Sequence, residues 1–202
     1  MAMWLGPEPL VLASQSEIRR KILVAAEIPV EIKPAAIDER AVEQAASRPA
    51  AGDVALLLAA AKARAIAATM PGRLVLGADQ TLAFGDRVFS KATDRAAARA
   101  QLLLLRGQTH VLHSAIVLVR EGAVLFEHVS TARLTMRRFS DAFVDRYLDT
   151  VGAAALHSVG GYQLEGVGIH LFDRIEGDHF TILGLPLLPL LGFLRAQGWV
   201  DA

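Results

Sequence analysis

The sequence predicts an α/β fold built on a mixed, partly antiparallel sheet with flanking helices, and three observations carry that prediction. Short apolar runs that read as strands alternate with segments of helical spacing. Residues 111–119 and 124–134 flank Glu121-Gly122 like the arms of a long antiparallel hairpin, which excludes a purely parallel, doubly wound sheet. The composition, 53% hydrophobic and 21% charged, is that of a chain with a packed core.

Each element follows in order. Residues 9–13 form a short apolar run and read as a strand. Residues 14–27 switch to helical spacing, with Ile18, Ile22, Leu23 and Ala26 on one face. Residues 29–33 alternate as a strand does, and 37–40 read as a loop into the next helix. Residues 52–69 form an Ala-rich helix ended by Pro71-Gly72. Residues 74–78 are a second apolar run that ends in Asp79. Thr93 reads as the cap of a helix over 94–105, stopped near Gly107. After the hairpin, Ser140 caps a helix with Phe143, Val144, Tyr147, Leu148 and Val151 turned inward. Residues 160–177 are punctuated by glycine and read as strand-rich. Residues 179–198 read as one helix, with Gly184-Leu185-Pro186 near its start. There is no internal repeat, low-complexity tract or linker. The 202 residues (1–202) therefore read as a single domain, long enough to hide roughly 70% of the unfolded surface.

Charge and cysteine content remove several function classes. Lys plus Arg and Asp plus Glu both number 21, so the formal net charge is zero. A polyanion binder carries a basic excess or patch, and neither is present, so no nucleic-acid partner is expected. A small anionic substrate needs only a few local cations. Cysteine is absent, which excludes disulfides, thiolate catalysis and Cys-based zinc sites and fits a reducing cytosol. Met1 to Pro9 has neither a basic region nor a long apolar run, so no signal peptide is expected. No stretch reaches the roughly 18 apolar residues of a membrane helix. The longest, 181–194, is interrupted by Pro186 and Pro189. The expectation is a cytoplasmic protein without a membrane partner.

Four groups of residues have the types and positions that chemistry requires. The first is Leu12-Ala13-Ser14-Gln15-Ser16-Glu17-Ile18-Arg19-Arg20, where a strand ends and a helix begins. A helix N-terminus presents free N–H groups and a positive dipole end to phosphate, and Arg binds phosphate bidentately. The alternative is an ordinary cap with solvated Arg side chains. The second is Gly77-Ala78-Asp79-Gln80-Thr81. A carboxylate just past a buried strand sits where α/β proteins place ligands, fit to bind a divalent cation or to act as general base on water. A turn aspartate bonding its own backbone is the alternative. The third group is Glu39, Lys62 and Lys91. Lys62 interrupts the very apolar run 54–68, so it either snorkels to the edge or faces a polar site. Glu39 either shares a metal with Asp79 or is simply an acidic helix start. The fourth is Gly160-Gly161-Tyr162-Gln163-Leu164-Glu165-Gly166, where close glycines admit a ligand or mark a bulge, and Glu165 is a hydrogen-bond acceptor for a base edge. The six histidines show no metal-site spacing, and His110 and His113 read as strand residues of the hairpin. No Walker A loop, GxGxxG or GxSxG is present.

The order of these pieces along the chain is more specific than any one of them. Leu12-Ala13-Ser14-x-Ser16-x-x-Arg19-Arg20, Asp38-Glu39, Lys62-Ala63, Gly77-Ala78-Asp79 and Lys91 resemble the Maf family of nucleotide pyrophosphatases. So do Leu105-x-Gly107-Gln108-Thr109-His110, the segment 160–166, and Gly177-Asp178 followed by Gly184-Leu185-Pro186. The resemblance covers about residues 9 to 195. It implies a fold related to inosine-triphosphate pyrophosphatases, with two lobes around a cleft, and hydrolysis of nucleoside triphosphates between the α and β phosphates. It also implies Mg²⁺, Mn²⁺ or Co²⁺ as cofactor and, often, a homodimer. The family's proposed proton acceptor matches Asp79, its motif glutamate and lysines match Glu39, Lys62 and Lys91, and its Ser/Arg motif matches Ser14, Ser16, Arg19 and Arg20. Glu39 and Asp79 are the expected metal ligands, with Asp79 read as ligand or as general base. Members acting on dTTP and UTP usually carry Thr after the key Asp and Gln before the later glycine, whereas members acting on 7-methyl-GTP carry Gln and Glu. Gln80 and Glu165 therefore resemble the 7-methyl-GTP branch. That branch often has Ser-Pro-Trp before the arginine pair, where this chain has Glu17-Ile18, so Ile18 offers no indole to stack on a base. The usual Lys-Pro reads Lys91-Ala92, and the Asp-Lys-Ala-Gly of the dTTP/UTP branch reads His157-Ser158-Val159-Gly160. Two other functions stay open at this point: a non-catalytic nucleotide-binding regulator of cell division, and a broader house-cleaning pyrophosphatase for other non-standard nucleotides.

Overall fold

The computed structural model describes residues 3–45 and 50–201. Among them a seven-stranded mixed sheet has the order β2-β1-β3-β5-β6-β7, with β4 paired to β3. The strands are β1 (Leu10–Leu12), β2 (Val30–Ile32), β3 (Val75–Phe84), β4 (Arg87–Phe89), β5 (Thr109–Arg120), β6 (Ala123–Met136) and β7 (Phe172–Glu176). The α-helices are α1 (Glu17–Ala25), α2 (Glu39–Ala45), α3 (Ala51–Ala67), α4 (Arg95–Leu105), α5 (Asp141–Val151), α6 (His179–Ile182) and α7 (Leu187–Ala196). β1 runs parallel to β2 and to β3, whereas β4 is antiparallel to β3 and β7 to β6. The predicted α/β class and mixed sheet are thus present.

The chain divides into two compact units. The first holds residues 3–80, 114–130 and 179–201 of those described, the second 81–113 and 131–178. In the first unit the period-2 alternation of the strands sorts side chains into two layers. Leu10, Leu12, Leu76, Ala78, Ile116 and Leu118 pack with Ile22 and Leu23 of α1 and Leu187, Leu190 and Leu194 of α7. Val11, Ala13, Val75, Ala115, Val117 and Val119 pack instead against Ala55, Ala59, Ala63 and Ala67 of α3. Those four alanines recur every fourth residue, so they line one stripe of the helix with the smallest side chain that still favours helix. The approach is closest at Gly77, where a β-carbon would collide with the Ala59 carbonyl and with Ala63. In the second unit α4 packs on α5, with Leu102, Leu105, Val144, Tyr147 and Leu148 buried.

Local chemistry explains the element ends. Glu121 and Gly122 both have positive φ, +51° and +78°, as the two central residues of a type I′ hairpin turn require. Ser140 caps α5, its hydroxyl accepting the Phe143 N–H at 3.2 Å. Four expectations are corrected. Asp94, not Thr93, caps α4: its carboxylate accepts the Ala97 N–H at 2.8 Å, and Thr93 bonds the same carboxylate from one residue earlier. The Gly-punctuated segment 160–177 is strand only at β7. Turns and a 3₁₀ helix (Val167–Leu171) take up most of the rest, because the glycines stop any continuous ladder. The helix expected over 179–198 is broken into α6 and α7 at Gly184 (φ +90°) and Pro186. Finally, β3 does not stop before Asp79 but runs through it to Phe84. Among the described residues, no helix is long and apolar enough to cross a membrane.

Candidate active site

Strand alternation within β3 decides which way the motif residues face. Gly77 and Asp79 share the face that packs on α3, and Ala78 and Gln80 share the opposite one. Because Gly77 lets α3 press against the strand, Lys62 on that helix reaches Asp79. Lys62 Nζ donates to Asp79 Oδ1 at 2.5 Å and to Glu39 Oε1, from the first residue of α2, at 2.7 Å. The side chains of Lys62 and Asp79 are 13% and 12% exposed, that of Glu39 53%. Lys62 and Asp79, 17 positions apart in sequence, and Glu39 from another helix therefore meet at one ammonium group. Of the alternatives for Lys62, the structure gives the polar site, not a snorkelling side chain. An ammonium has three hydrogens, so one remains after the two carboxylates are served.

The other face of β3 carries a second network. Ser16 caps α1, its hydroxyl 3.4 Å from the Arg19 N–H, and the Ser16 N–H donates to Ser14 Oγ at 3.2 Å. Arg19 is buried. Its Nε donates to the Gly184 carbonyl at 2.8 Å, and its Nη1 to the Ala78 carbonyl at 2.8 Å and to Ser14 Oγ at 3.1 Å. Burial pulls the Arg19 pKa down, and the carboxylates of Asp79 and Glu39 oppose that pull. Arg20, by contrast, lies on the exposed side of α1 and pairs with Glu17 through contacts of 2.5 and 2.9 Å. Ile18 is half-buried against the core of the first unit. Gln80 Nε2 donates to Ser114 Oγ at 2.8 Å, to the Ile182 carbonyl at 3.0 Å and to the Thr181 carbonyl at 3.1 Å.

The first unit thus brings together Ser14, Ser16, Arg19, Glu39, Lys62, Asp79 and Gln80. Lys91 and Glu165 belong to the second unit. Lys91 is exposed two residues after β4, and Glu165 is exposed in the turn before the 3₁₀ helix. The sequence reading missed Ser114 and the carbonyls of Thr181, Ile182 and Gly184. The helix break at Gly184-Leu185-Pro186 was the available signal, since broken helix ends leave carbonyls that seek donors.

Glu39 and Asp79 each give one oxygen to Lys62 Nζ and keep a second, hard oxygen donors of the kind that hold Mg²⁺ when substrate phosphates and water complete the shell. Among the described residues no cluster of three or more acidic or imidazole side chains forms a cage on its own. The donor set therefore fits an ion carried in with a phosphate ligand.

The family model described as Maf-like protein matches residues 9–197. A nucleoside triphosphate pyrophosphatase of Rhodopseudomonas palustris is 59% identical over 197 residues, 98% of this chain and 98% of its own. A 7-methyl-GTP pyrophosphatase of Mesorhizobium japonicum is 54% identical over 196 residues, 96% of this chain and 98% of its own. Among solved structures, a HAM1 protein of Coxiella burnetii is 16% identical, with a TM-score of 0.41 over 65% of this chain and 74% of that one.

Proposed function

The chain belongs to the Maf family and is a nucleoside triphosphate pyrophosphatase, and we propose that its substrate is 7-methyl-GTP, hydrolysed to the monophosphate and pyrophosphate. The observation that carries the catalytic reading is the Asp79–Lys62–Glu39 constellation, a buried carboxylate held ready beside a lysine that keeps one hydrogen free. The substrate reading is supported by Gln80 and Glu165, the residue pair of the 7-methyl-GTP branch, and by the name of the Mesorhizobium relative. Glu165 is exposed in its turn, and a carboxylate accepts the guanine N1–H and 2-amino hydrogens that thymine does not offer. A broader nucleotide range is the second reading, and the name of the Rhodopseudomonas relative specifies no base.

In this mechanism a water molecule attacks the α-phosphorus, the bond from that phosphorus to the α–β bridging oxygen breaks, and pyrophosphate leaves with the bridging oxygen. Asp79 orients that water and accepts its proton. Lys62 turns its third hydrogen, and Arg19 its Nη2 hydrogens, toward phosphate oxygens, where charge grows in the transition state. Ser14, Ser16 and Arg20 border the start of α1. Glu39 and Asp79 would hold a divalent cation, Mg²⁺, Mn²⁺ or Co²⁺, which when bound neutralises the polyphosphate. A homodimer and a cytoplasmic location complete the proposal and rest on the family resemblance.

The test is pyrophosphate release from 7-methyl-GTP, GTP, UTP and dTTP with Mg²⁺ or Mn²⁺, comparing the wild type with Asp79→Asn. The expected result is preferential cleavage of 7-methyl-GTP and a loss of turnover of about 10²- to 10⁴-fold in the variant. Preference for UTP or dTTP overturns the substrate assignment and leaves the reaction standing. Tight nucleotide binding without pyrophosphate release would make the chain a nucleotide-binding regulator.

A further inference from the structure

Glu165 is exposed, yet the backbone that carries it is pinned by buried groups of the second unit. The anchors come from α4, α5, β5 and β7. Gln101 of α4 donates to the Val159 carbonyl, and the Tyr147 hydroxyl of α5 donates to the Gly161 carbonyl at 3.1 Å. The Tyr162 hydroxyl lies 2.6 Å from Nε2 of His110 on β5, and its ring stands edge-on to Phe172 of β7, with 4.8 Å between centroids. Tyr162 is 6% exposed and His110 is fully buried. His110 depends on the phenol in return, because its buried Nδ1 has no partner among the described residues. The Tyr162 ring folds back over Gly160, where a β-carbon would collide with it. Just beyond, the Gly166 N–H donates to the Gln163 carbonyl at 3.2 Å and closes a four-residue turn with Glu165 as its third residue. Gly168 presses on this turn so closely that a β-carbon there would strike the Gln163 carbonyl. A cavity of about 150 Å³ lies beside the turn, lined by Tyr147, Tyr162, Gln163, Gly166 and Gly168 among others. Packing is incomplete on that side, so the hydrogen bonds fix where the turn sits.

From these anchors we infer that Tyr162, docked through its hydroxyl on His110, is a positioning residue for Glu165 and shapes substrate specificity without touching the substrate. The inference rests on Glu165 reading the nucleobase. A carboxylate that accepts two hydrogens from one base edge must be held in place, because hydrogen bonds weaken steeply with distance and misalignment. The Glu165 side chain is exposed, so its placement comes from the turn beneath it. The Tyr162 phenol is buried and already paired, so it acts through the turn and not on a ligand. Removing its hydroxyl loosens the turn and weakens recognition of a guanine edge. Thymine does not offer that pair of hydrogens, so a thymine nucleotide loses nothing.

The experiment measures kcat and KM of Tyr162→Phe with 7-methyl-GTP and dTTP, together with amide hydrogen exchange at Gly166. Phenylalanine keeps the ring in its aromatic contacts and removes only the hydroxyl. The expected result is a fall of about five-fold in kcat/KM for 7-methyl-GTP, the scale of one hydrogen bond, with kcat/KM for dTTP unchanged. Exchange at Gly166 accelerates in parallel. Tyr147→Phe releases the Gly161 carbonyl from the same segment, shifts the ratio in the same direction, and serves if Tyr162→Phe does not fold. An unchanged ratio between the two nucleotides in the folded variant overturns the inference. An equal fall for both overturns it as well, because that is the mark of a merely structural role. Glu165→Gln in the same assay separates the two ways of failing. If Glu165→Gln leaves the ratio at its wild-type value, Glu165 does not read the base, and the substrate reading fails together with this one. If Glu165→Gln shifts the ratio and Tyr162→Phe does not, the positioning role alone fails.

Discussion

Replacing Lys62 with methionine tests the centre of the site. The substitution keeps most of the apolar stem and removes the ammonium that Asp79 and Glu39 share. Glu39 is about half exposed and finds water when the lysine goes. Asp79 is 12% exposed and does not, so the cost falls on Asp79. Removing one partner of a fully buried pair costs about 3–5 kcal/mol, and exposed pairs are worth about 0–1 kcal/mol. With both members of the Lys62–Asp79 pair near the buried limit but not at it, the expected loss is about 2–3 kcal/mol. Trp4 and Trp199 are the only tryptophans, and both belong to the first unit, as do Lys62 and Asp79. Tryptophan fluorescence during urea unfolding therefore reports on the unit that is perturbed. At a denaturant slope of about 2 kcal/mol per molar, the midpoint drops by about 1 M. Adding Asp79→Asn removes the stranded charge, so the double variant is more stable than Lys62→Met alone by about 1 kcal/mol. An unchanged midpoint in Lys62→Met, or a double variant less stable than the single one, refutes the claim that this lysine satisfies this aspartate.

Two further outcomes follow from the packing and from burial. Gly77→Ala places a methyl group against the Ala59 carbonyl and Ala63, so α3 must back away from β3. The expected cost is about 1–3 kcal/mol in urea unfolding, together with reduced turnover as Lys62 is drawn from Asp79. In the second unit, burial lowers the His110 pKa from 6.5 to about 4, while its Nε2 lies 2.6 Å from Tyr162 Oη. The unfolded chain then binds a proton that the folded chain refuses. Stability is complete above about pH 6.5 and declines as the pH falls from there toward about 4. The decline reaches at most about 3 kcal/mol. Thermal unfolding measured between pH 7 and 4.5 checks this slope, and His110→Gln, which keeps a polar partner for Tyr162 and does not titrate, flattens it.

The legible part of the fold was the part that depends on pattern alone. Alternation and helical spacing located the strands and helices because period 2 and period 3.6 are imposed by backbone geometry whatever the tertiary contacts. Glu121-Gly122 announced its turn because few residue pairs accept two positive φ angles in succession. The errors arose where one residue type has two uses. Glycines in 160–177 suggested bulged strands, yet the same freedom served tight turns and a 3₁₀ helix. Thr93 and Asp94 both cap well, and the choice between them rests on one residue of register that the sequence does not display.

The site shows the same division between residue type and use. Lys62 was conspicuous as a charge in an apolar run, and burial of a charge demands a partner. Which partner depended on how closely α3 approaches β3, and hence on Gly77 meeting the alanine stripe. That stripe, at 55, 59, 63 and 67, is visible in the sequence, but its meaning needs the strand it packs on. The arginine pair separates further. Read from sequence, Arg19 and Arg20 were equivalent cations at a helix start. In the fold they differ by one position on a helix, about 100° of rotation, which turns one inward and the other out. Arg19 spends its Nε and Nη1 hydrogens on two backbone carbonyls and a serine around Asp79, and Arg20 meets Glu17 in solvent. A guanidinium suits the inner position because its planar fork reaches acceptors on two different elements at once, which the single point charge of lysine does not. The motif Ser14-x-Ser16-x-x-Arg19 therefore ties the start of α1 to the strand that bears Asp79.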